Sequence, residues 1–378
     1  MNAPPTATVA GEQFGGRVSD AQSPRAYRRV LRQASSYASF NVRPEDQPKG
    51  LFGIFHTGKP WVCRVILLVC TVMLIVEFAL NDWKAEPLNV NPTFGPSTEV
   101  LLDLGAKRTD LILDGDWYRL IAPIFLHAGV LHFLFNMYGL YSIGFPLEIQ
   151  FGSLAVAYIF LLSGFMGVIM SAVFSPKIVG IGASGGIFGL FGSAWSELIL
   201  NYSLYRGQVC SSFMQLFIAT AINLLLGLMP LLDNFAHIAG FFTGLVCGFA
   251  VLVSNRYTRQ GEKKERKRYQ VLLQIFSVIC TPIMVVCALF ILYFGVEPDE
   301  WCSWCKYLSC VPFPPGDNPW WTCDLCADSG VSFTPIGATL FGTVQCPDGA
   351  LINATASSDI TSSDQDVVNT ALIELCRA

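Results

Sequence analysis

Ser184 and His237 are a nucleophile and a base that could act together, because a serine hydroxyl becomes reactive when a neighbouring histidine accepts its proton. The negative oxygen that forms when such a serine attacks an amide carbonyl must be stabilised by fixed hydrogen-bond donors. His132, Asn136 and the backbone N–H of Ser184 could supply those donors. These residue types predict acyl-transfer chemistry at a serine.

The candidate residues lie near the starts of three apolar segments, each of which predicts a membrane helix. The segments are 130–147, 183–202 and 236–254. In a chain with seven spans they are the second, fourth and sixth, so all three cross the membrane in the same direction. At a rise of about 1.5 Å per residue, the four polar side chains fall in one layer below the outer surface. Polar groups at such a depth usually face a partner or a water-filled cavity.

Glycines surround Ser184 and repeat along the segment that carries His237. The small-residue positions are Gly185 and Gly189 in the fourth span and Gly240, Gly244 and Gly248 in the sixth. Such stripes allow two helices to approach closely, so we expect Ser184 to reach His237. Gly182 allows a tight turn that would expose the Ser184 N–H.

The composition is typical of a membrane protein. The chain of 378 residues is 52% hydrophobic and 14% charged, with a mean hydropathy of +0.48, whereas soluble domains carry about 25% charged residues. About twenty apolar residues cross a bilayer as a helix. Seven segments qualify: 61–80, 130–147, 154–174, 183–202, 212–232, 236–254 and 271–294. The sequence therefore predicts an all-α polytopic membrane protein.

Basic residues predict the orientation of the chain, because lysine and arginine accumulate on the cytoplasmic side. Eight of them lie in the first sixty residues and seven in 255–270, and seven spans place both segments inside. The tail after the last span carries eleven acidic residues against Lys306 and Arg377. We therefore expect a cytosolic N-terminus and a lumenal or extracellular C-terminus.

The chain divides into five predicted regions. They are a basic, disordered N-terminal segment (1–60), a helical core (61–254) with an external loop subdomain (82–129), a basic cytosolic loop (255–270), a seventh transmembrane helix (271–294) and a cysteine-rich extracytoplasmic tail (295–378). The external loop is too long to be a passive connection, and we expect it to fold as a subdomain.

The tail holds seven of the thirteen cysteines, including CSWC at 302–305 and CDLC at 323–326. Two such pairs could form a four-cysteine zinc site, but outside the cytosol thiols oxidise and persist as disulfides. Disulfides are the favoured interpretation, and zinc remains the alternative. Asn353 in NAT is a glycosylation acceptor on the same side, whereas Asn201 in NYS lies at a cytoplasmic helix end and should stay unmodified.

Each candidate also has an ordinary structural explanation. A serine in an apolar helix commonly bonds the carbonyl four residues earlier, a glycine stripe can serve packing alone, and an intramembrane histidine can line a transport path. The placement of four such residues in one layer favours catalysis over these explanations. Asp233 is the acid near His237, and a cap or surface role suits it better than orienting the imidazole, so we expect a dyad without an acid.

The motifs resemble those of the rhomboid family of intramembrane serine proteases. GASG at 182–185, AHIAGFFTG at 236–244 and HFLFN at 132–136 are similar to its three signature segments. The external loop, the seventh span and the cysteine-rich tail resemble the eukaryotic secretory-pathway branch of that family. The resemblance implies a rhomboid-like six-helix bundle followed by one further helix, over about residues 60–295.

The resemblance also implies roles for the matched residues. Ser184 would be the nucleophile, His237 the base and then the acid to the leaving amine, and His132 and Asn136 would help to bind the oxyanion. The other matched positions would be structural: Gly182 in the serine motif, Gly185, Gly240 and Gly244 in motif and packing positions, Trp117 and Arg119 in the external loop, and Glu148 as a structural acid of the third span.

The sequence departs from the family pattern at two places. A tyrosine commonly stacks on the histidine, and here that position is Phe188, which keeps the stacking face and loses the hydroxyl. Tyr118 stands between Trp117 and Arg119, so the contacts of the loop should differ in detail.

The implied activity is cleavage of single-span or polytopic membrane proteins in or beside their transmembrane helices, near the outer end. Their scissile helices must unwind, so substrates should carry glycine, proline or small residues there. No metal, organic cofactor or nucleic acid is expected, the lipid bilayer is the surrounding partner, and the oligomeric state is left open. The expected location is a Golgi, endomembrane or plasma membrane. The alternatives are a catalytically silent rhomboid-like protein that binds membrane clients and a small transporter or channel, for which Glu148 would be the main charged residue.

Overall fold

The computed structural model describes most of the helical part of the chain and three strands of the tail. The described residues are 58–88, 91–176, 178–205, 208–227, 232–254, 265–295, 302, 308, 330–336, 339–345 and 351–357. All of them belong to one structural unit, Lys49–Asn255 with Glu265–Ala378. The predicted segment 1–60 lies outside the described residues except at its last three positions, and so do most of the predicted basic loop and tail.

The helices of the described part follow the apolar segments of the sequence. They are α1 (Trp61–Leu80), α2 (Thr98–Asp103), α3 (Thr109–Leu113), α4 (Val130–Gly139), α5 (Phe145–Phe151), α6 (Ser153–Phe174), α7 (Ser184–Asn201), α8 (Val209–Leu226), α9 (Asn234–Val251) and α10 (Arg268–Phe294). A π-helical stretch, Leu140–Gly144, joins α4 to α5, and 3₁₀ turns lie at Trp117–Leu120, Ala122–Phe125 and Tyr202–Leu204. The predicted span 212–232 ended too late, because α8 stops at Leu226, where the Gly227 N–H closes the last turn on Asn223 O at 3.1 Å.

Five helices of the described part are long and apolar enough to cross a membrane. They are α1, the run from α4 to α5, α6, α9 and α10. The predicted fourth span corresponds to α7, whose glycines, serines and Glu197 reduce its apolar character. The predicted fifth span corresponds to α8, a shorter apolar helix. The protein is therefore a multi-pass helical membrane protein.

The core lies where α6, α7 and α9 pack against one another. The side chains of Ile159 and Phe160 on α6 are fully buried there, together with Leu190 on α7 and Cys247 on α9. In contrast, α1 and α10 leave most of their apolar side chains exposed. A helix that is apolar all round and lies at the surface of the protein suits a lipid environment.

The loop between α1 and α4 folds onto the core through α2, α3 and two 3₁₀ turns. Arg119, which is buried, donates to Leu102 O (2.6 Å) and Ala106 O (3.1 Å). The backbones of Lys107 and Gly180 form a two-bond bridge, with N···O distances of 2.9 and 3.1 Å. This bridge joins the loop to the segment that leads into α7.

The tail contains a three-stranded antiparallel sheet in the order β1 (Gly330–Ile336), β2 (Thr339–Gln345) and β3 (Leu351–Ser357). Asn353 lies on β3 opposite Thr343. The expectation of an all-α chain is therefore correct for the helical part and wrong for this part of the tail. The strand signal was present in the sequence, because these segments are rich in β-branched and aromatic residues.

Candidate functional site

Ser184 is the first residue of α7, and Ala183 is the residue that precedes the helix. The first N–H groups of a helix have no partner within the helix, and the helix dipole favours negative charge there. Gly182 turns the chain into this start with φ +125°, a conformation that side chains other than glycine rarely adopt. Its N–H donates to Pro123 O at 2.8 Å, which fixes the turn. Ser184 itself is half-buried.

His132 and Asn136 lie on one face of α4 and border this turn. A Cβ placed on Gly182 would lie 3.0 Å from His132 Nε2 and 3.7 Å from Asn136 Nδ2. His132 Nδ1 accepts a hydrogen bond from the Ala128 N–H at 3.3 Å, so a neutral imidazole carries its proton on Nε2. Asn136 donates to His132 O at 3.0 Å. Two side-chain donors therefore border the glycine that precedes the serine.

His237 lies in the first turn of α9 and is buried. Its ring stacks on the ring of Phe188, with centroids 4.2 Å apart and an angle of 11° between the planes. Its Nδ1 is buried and has no hydrogen-bond partner among the described residues. Phe188 belongs to α7, one turn after Ser184, so the stacking fixes the imidazole plane against the helix that carries the serine.

The backbones of α7 and α9 touch at their glycines. A Cβ on Gly240 would overlap Gly185 O, and one on Gly244 would overlap Gly189 O. No larger residue fits at either position without separating the helices. This contact places the first turns of α7 and α9, which carry Ser184 and His237, side by side at one end of the bundle.

A cavity of about 20 Å³ adjoins Ser184, which is enough room for one water molecule. Ser171 and Asp233 line it together with Gly182 and Lys107. The Asp233 carboxylate accepts the Ala236 N–H at 3.1 Å and so caps the start of α9. Asp233 therefore has the cap role that the sequence favoured for it.

The two loop residues predicted from the family pattern are separate from this cluster. Trp117 is 66% exposed, whereas Arg119 is buried beside Asp116, with Nε and Oδ2 2.9 Å apart. The Arg119 guanidinium also lies over the Tyr118 ring at 5.2 Å. Arg119 thus ties the loop together and does not approach Ser184. The side chain of Asn353 is outside the described part of the structure.

Glu148 lies at the opposite end of the bundle, where it accepts hydrogen bonds at the start of α1. Its donors are the Val62 N–H (2.7 Å), the Cys63 N–H (2.8 Å) and the Ser153 hydroxyl (2.5 Å). A fully bonded carboxylate at a helix N-terminus is stabilised by the dipole. Glu148 therefore caps the start of α1.

Sequence reasoning missed two buried polar residues, Glu77 in α1 and His127 in the loop before α4. Glu77 is fully buried in the last turn of α1, and its Oε1 accepts the His127 N–H at 2.9 Å. The His127 ring lies edge-on to that of His132, with centroids 5.5 Å apart. A lone acid in an apolar span was a usable signal for Glu77, because such residues are rare in membrane helices.

The first turn of α9 also contacts the tail. Asn234 Nδ2 donates to Leu308 O at 2.8 Å, and Phe235 packs against Cys302. The described part of the tail therefore reaches the helix turn that carries His237.

The fold and this cluster define a class: a multi-pass helical membrane protein with a serine, two histidines and an asparagine gathered at one end of its bundle. A rhomboid domain is matched over residues 114–254. RHOMBOID-like protein 4 of Arabidopsis thaliana is 36% identical over 347 residues, which cover 85% of each chain. RHOMBOID-like protein 2 of the same plant is 39% identical over 65% of this chain and 78% of its own. Inactive RHOMBOID-like protein 8 is 28% identical over 67% and 81%. The chain belongs to the rhomboid family.

Proposed function

We propose that the protein is an intramembrane serine endopeptidase that works through a dyad of Ser184 and His237. The observation that carries this proposal is the backbone contact between α7 and α9, which brings the first turns of both helices together. The stacking of Phe188 on His237 supports it, because the ring is fixed on the side of the helix that bears the serine.

The mechanism follows from the positions of the polar groups. His237 accepts the proton of Ser184 Oγ as that oxygen attacks the scissile carbonyl. The negative oxygen that develops faces the Ser184 N–H, the His132 Nε2–H and the Asn136 amide, which act as preorganised donors. His237 then gives the proton to the leaving amine, and a water molecule attacks the acyl-enzyme with His237 again as base. Asp233 caps the start of α9 and is not a third catalytic group.

The substrates of this proposal are single-span or polytopic membrane proteins. The amides of a helix are shielded by their own hydrogen bonds, so a scissile segment must unwind before its carbonyl can enter the site. Glycine, proline and other helix-weakening residues near the end of the substrate helix make this unwinding easier.

The proposal includes the seven-span topology, with the N-terminus cytosolic and Ser184 near the lumenal or extracellular surface of a Golgi, endomembrane or plasma membrane. It also includes disulfides in the tail and a glycan on Asn353. What supports the disulfides is the burial of the tail residue Cys302 against Phe235, away from solvent. Asn201, the other acceptor sequence, is fully buried and donates to Leu252 O at 2.8 Å, so it cannot receive a glycan.

A catalytically silent protein that binds membrane clients is the second candidate. Two relatives are named inactive, RHOMBOID-like protein 8 of Arabidopsis thaliana and rhomboid protein 1 of Danio rerio. The presence of both dyad residues, with their helices in contact, favours the protease.

The test is co-expression with a single-span substrate that carries a reporter on its lumenal side. We expect cleavage by the wild type and none by Ser184→Ala or His237→Ala. Ser193→Ala is the matched control, because Ser193 is a buried serine of the same helix that donates to Leu190 O at 2.8 Å. Equal cleavage by Ser184→Ala would refute the proposal, and no cleavage by the wild type on a panel of substrates would favour the silent protein.

The topology is tested on the same membranes. Asn353→Gln should remove a glycosidase-sensitive shift in gel mobility, and reduction should change the mobility of the tail fragment. If neither shift occurs, the tail does not lie in a glycosylating, oxidising compartment.

A further inference from the structure

Lys107 is an unusual lysine, because its side chain is completely buried and yet lies beside the cavity next to Ser184. Its ammonium donates to three backbone carbonyls, at Ser175 (2.8 Å), Ile178 (2.7 Å) and Ser171 (3.4 Å). Ser175 and Ile178 follow the last residue of α6, Phe174, so the buried cation lies at the carbonyl end of that helix, where the helix dipole favours a positive charge.

The backbone of Lys107 holds the segment that leads to the serine. Its two-bond bridge to Gly180 lies two residues before Gly182, the residue that borders His132 and Asn136. The Lys107 side chain bonds carbonyls that precede Gly180 in the chain. The Lys107 backbone forms the bridge to Gly180. Both therefore act on one connection, from the end of α6 to the start of α7.

Lys107 also faces the cap of the helix that carries His237. A Cβ on Gly180 would lie 2.8 Å from Lys107 Cε and 3.3 Å from Asp233 Oδ2, so the lysine stem and the carboxylate border the same glycine. Asp233 caps α9 four residues before His237. The lysine side chain thus borders both the connection that leads to α7 and the carboxylate that caps α9.

We propose that Lys107 is a positioning residue for the dyad: its ammonium fixes the α6–α7 connection beside the capped start of α9 and so sets the position of Ser184 relative to His237. The proposal rests on the proposed function, since it concerns the geometry of that reaction. Lys107 acts through Ser184 and His237 and does not touch the substrate.

The charge of Lys107 gives the proposal a pH dependence. Burial lowers the pKa of the ammonium from 10.5 to about 8, and the Asp233 carboxylate opposes this shift. Asp233 is the charged group that faces it from α9, and on its own loop Arg108 pairs with Asp110 at 3.0 Å. The described residues of 171–183 contribute no titratable side chain. A neutral lysine has one donor fewer for its three carbonyls and no charge for Asp233, so activity should fall above about pH 8.

Over the same pH range, the contribution of Lys107 to the free energy of unfolding changes in the opposite direction to activity. Between about pH 8 and 10.5 the unfolded chain holds a proton on Lys107 that the folded protein has lost, so this group makes the free energy of unfolding rise with pH. Deprotonation of Lys107 is therefore expected to lower activity without lowering the free energy of unfolding, and the two measurements separate positioning from a merely structural role.

The experiment measures kcat and KM of the full chain, purified in mild detergent, on a transmembrane peptide from pH 6 to 10. In the wild type we expect kcat to fall with an apparent pKa near 8, while the midpoint of unfolding does not fall. Lys107→Met should lower kcat about 10-fold or more at pH 7, with little change in KM, and should lose the alkaline fall. Lys107→Arg, which keeps its charge throughout this range, should regain activity relative to Met and show no fall.

Two further variants keep the test decisive if Lys107→Met does not fold. Asp233→Asn keeps the cap oxygen and removes the charge that raises the lysine pKa, so the alkaline fall should move to lower pH. Thr109→Val is the matched control, because the Thr109 hydroxyl joins the same loop to Ala172 O at 2.8 Å without a charge, and its pH profile should match the wild type.

The possible failures are distinguishable. A wild-type profile in Lys107→Met, or no shift in Asp233→Asn, overturns the role of Lys107 and leaves the protease intact. Absence of cleavage by the wild type at every pH overturns the proposed function and this inference with it.

Discussion

The two ends of the helical bundle differ in how completely their buried polar groups are hydrogen-bonded. At the serine end, where α7 and α9 begin and α1 and α6 stop, many buried polar atoms have no partner in the described part of the chain. They include Glu77 Oε2, Ser171 Oγ, Asn234 Oδ1 and His237 Nδ1. At the other end, here called the glutamate end, the buried polar side chains Glu148, Glu197, Asn201 and Gln270 all have partners.

The bonded polar groups of the glutamate end serve stability, whereas the groups without partners at the serine end are attributed to function. A buried polar group without a partner costs about 1–3 kcal/mol, so a protein keeps such groups where another requirement outweighs stability. At the glutamate end, Tyr205 OH and Asn201 Nδ2 donate to Glu197, and Ser254 N donates to Asn201 Oδ1 at 3.0 Å. Substitutions should therefore reduce activity at the serine end and stability at the glutamate end.

The largest effect is expected at the glutamate end, from Glu148→Ala. The substitution leaves the N–H groups of Val62 and Cys63 without an acceptor, and it should lower the free energy of unfolding by about 4 kcal/mol. Equilibrium unfolding in mixed detergent micelles measures this loss. Glu148→Gln keeps one acceptor oxygen and should lose less. A drop in kcat of the folded fraction would show that the two ends are not separate.

Gly182→Ala should have the next largest effect, and on activity. The new methyl group would lie 2.8 Å from His132 Cε1, so His132 must move away from the oxyanion position, and kcat should fall about 100-fold. Gly115→Ala is the control, because Gly115 has a similar φ of +119° with open space around it. If both variants lose activity equally, backbone strain and not displacement of His132 is the cause.

His127→Phe should change how stability depends on pH. Burial, and then the nearby His132 ring, lowers the pKa of His127 from 6.5 to about 3. Below pH 6.5 the unfolded chain binds a proton here that the folded protein excludes, so the free energy of unfolding falls on acidification toward pH 3. The variant should remove about 2 kcal/mol of the fall between pH 7.5 and 5. Identical pH slopes of unfolding in variant and wild type would contradict this assignment.

Phe188→Leu should give the smallest effect. The loss of the stacked ring removes an interaction of about 0.5–1.5 kcal/mol, so kcat should fall about 2–10-fold while the protein stays folded. Phe188→Tyr keeps the stacking face and should match the wild type in the same assay. A Leu variant as active as the wild type would mean that the imidazole plane is held by other contacts.

The sequence determined most of the helices, because apolar runs of the length of a bilayer specify a helix without reference to the rest of the chain. It also indicated which residue types could perform the chemistry and which glycines could allow close packing. The π-helical stretch Leu140–Gly144 and the tail strands were not predicted. Composition over a window does not separate a π-helical turn from an α-helical one, and the three strands are only seven residues long each.

The tertiary structure decided what each polar group contacts. In the sequence, Lys107 stands in AKRTD and has the pattern of a solvated loop lysine, and Glu148 is an acid in an apolar helix. Lys107 is buried because the loop folds onto a helix end 64 to 71 residues further along the chain, and Glu148 caps a helix 85 residues before it. Side-chain burial and hydrogen bonding depend on such distant partners, whereas helix formation depends on neighbours within a few residues. For this reason the sequence alone determined the helices and the candidate chemistry, and only the fold decided which polar groups are bonded and which are left without partners beside Ser184.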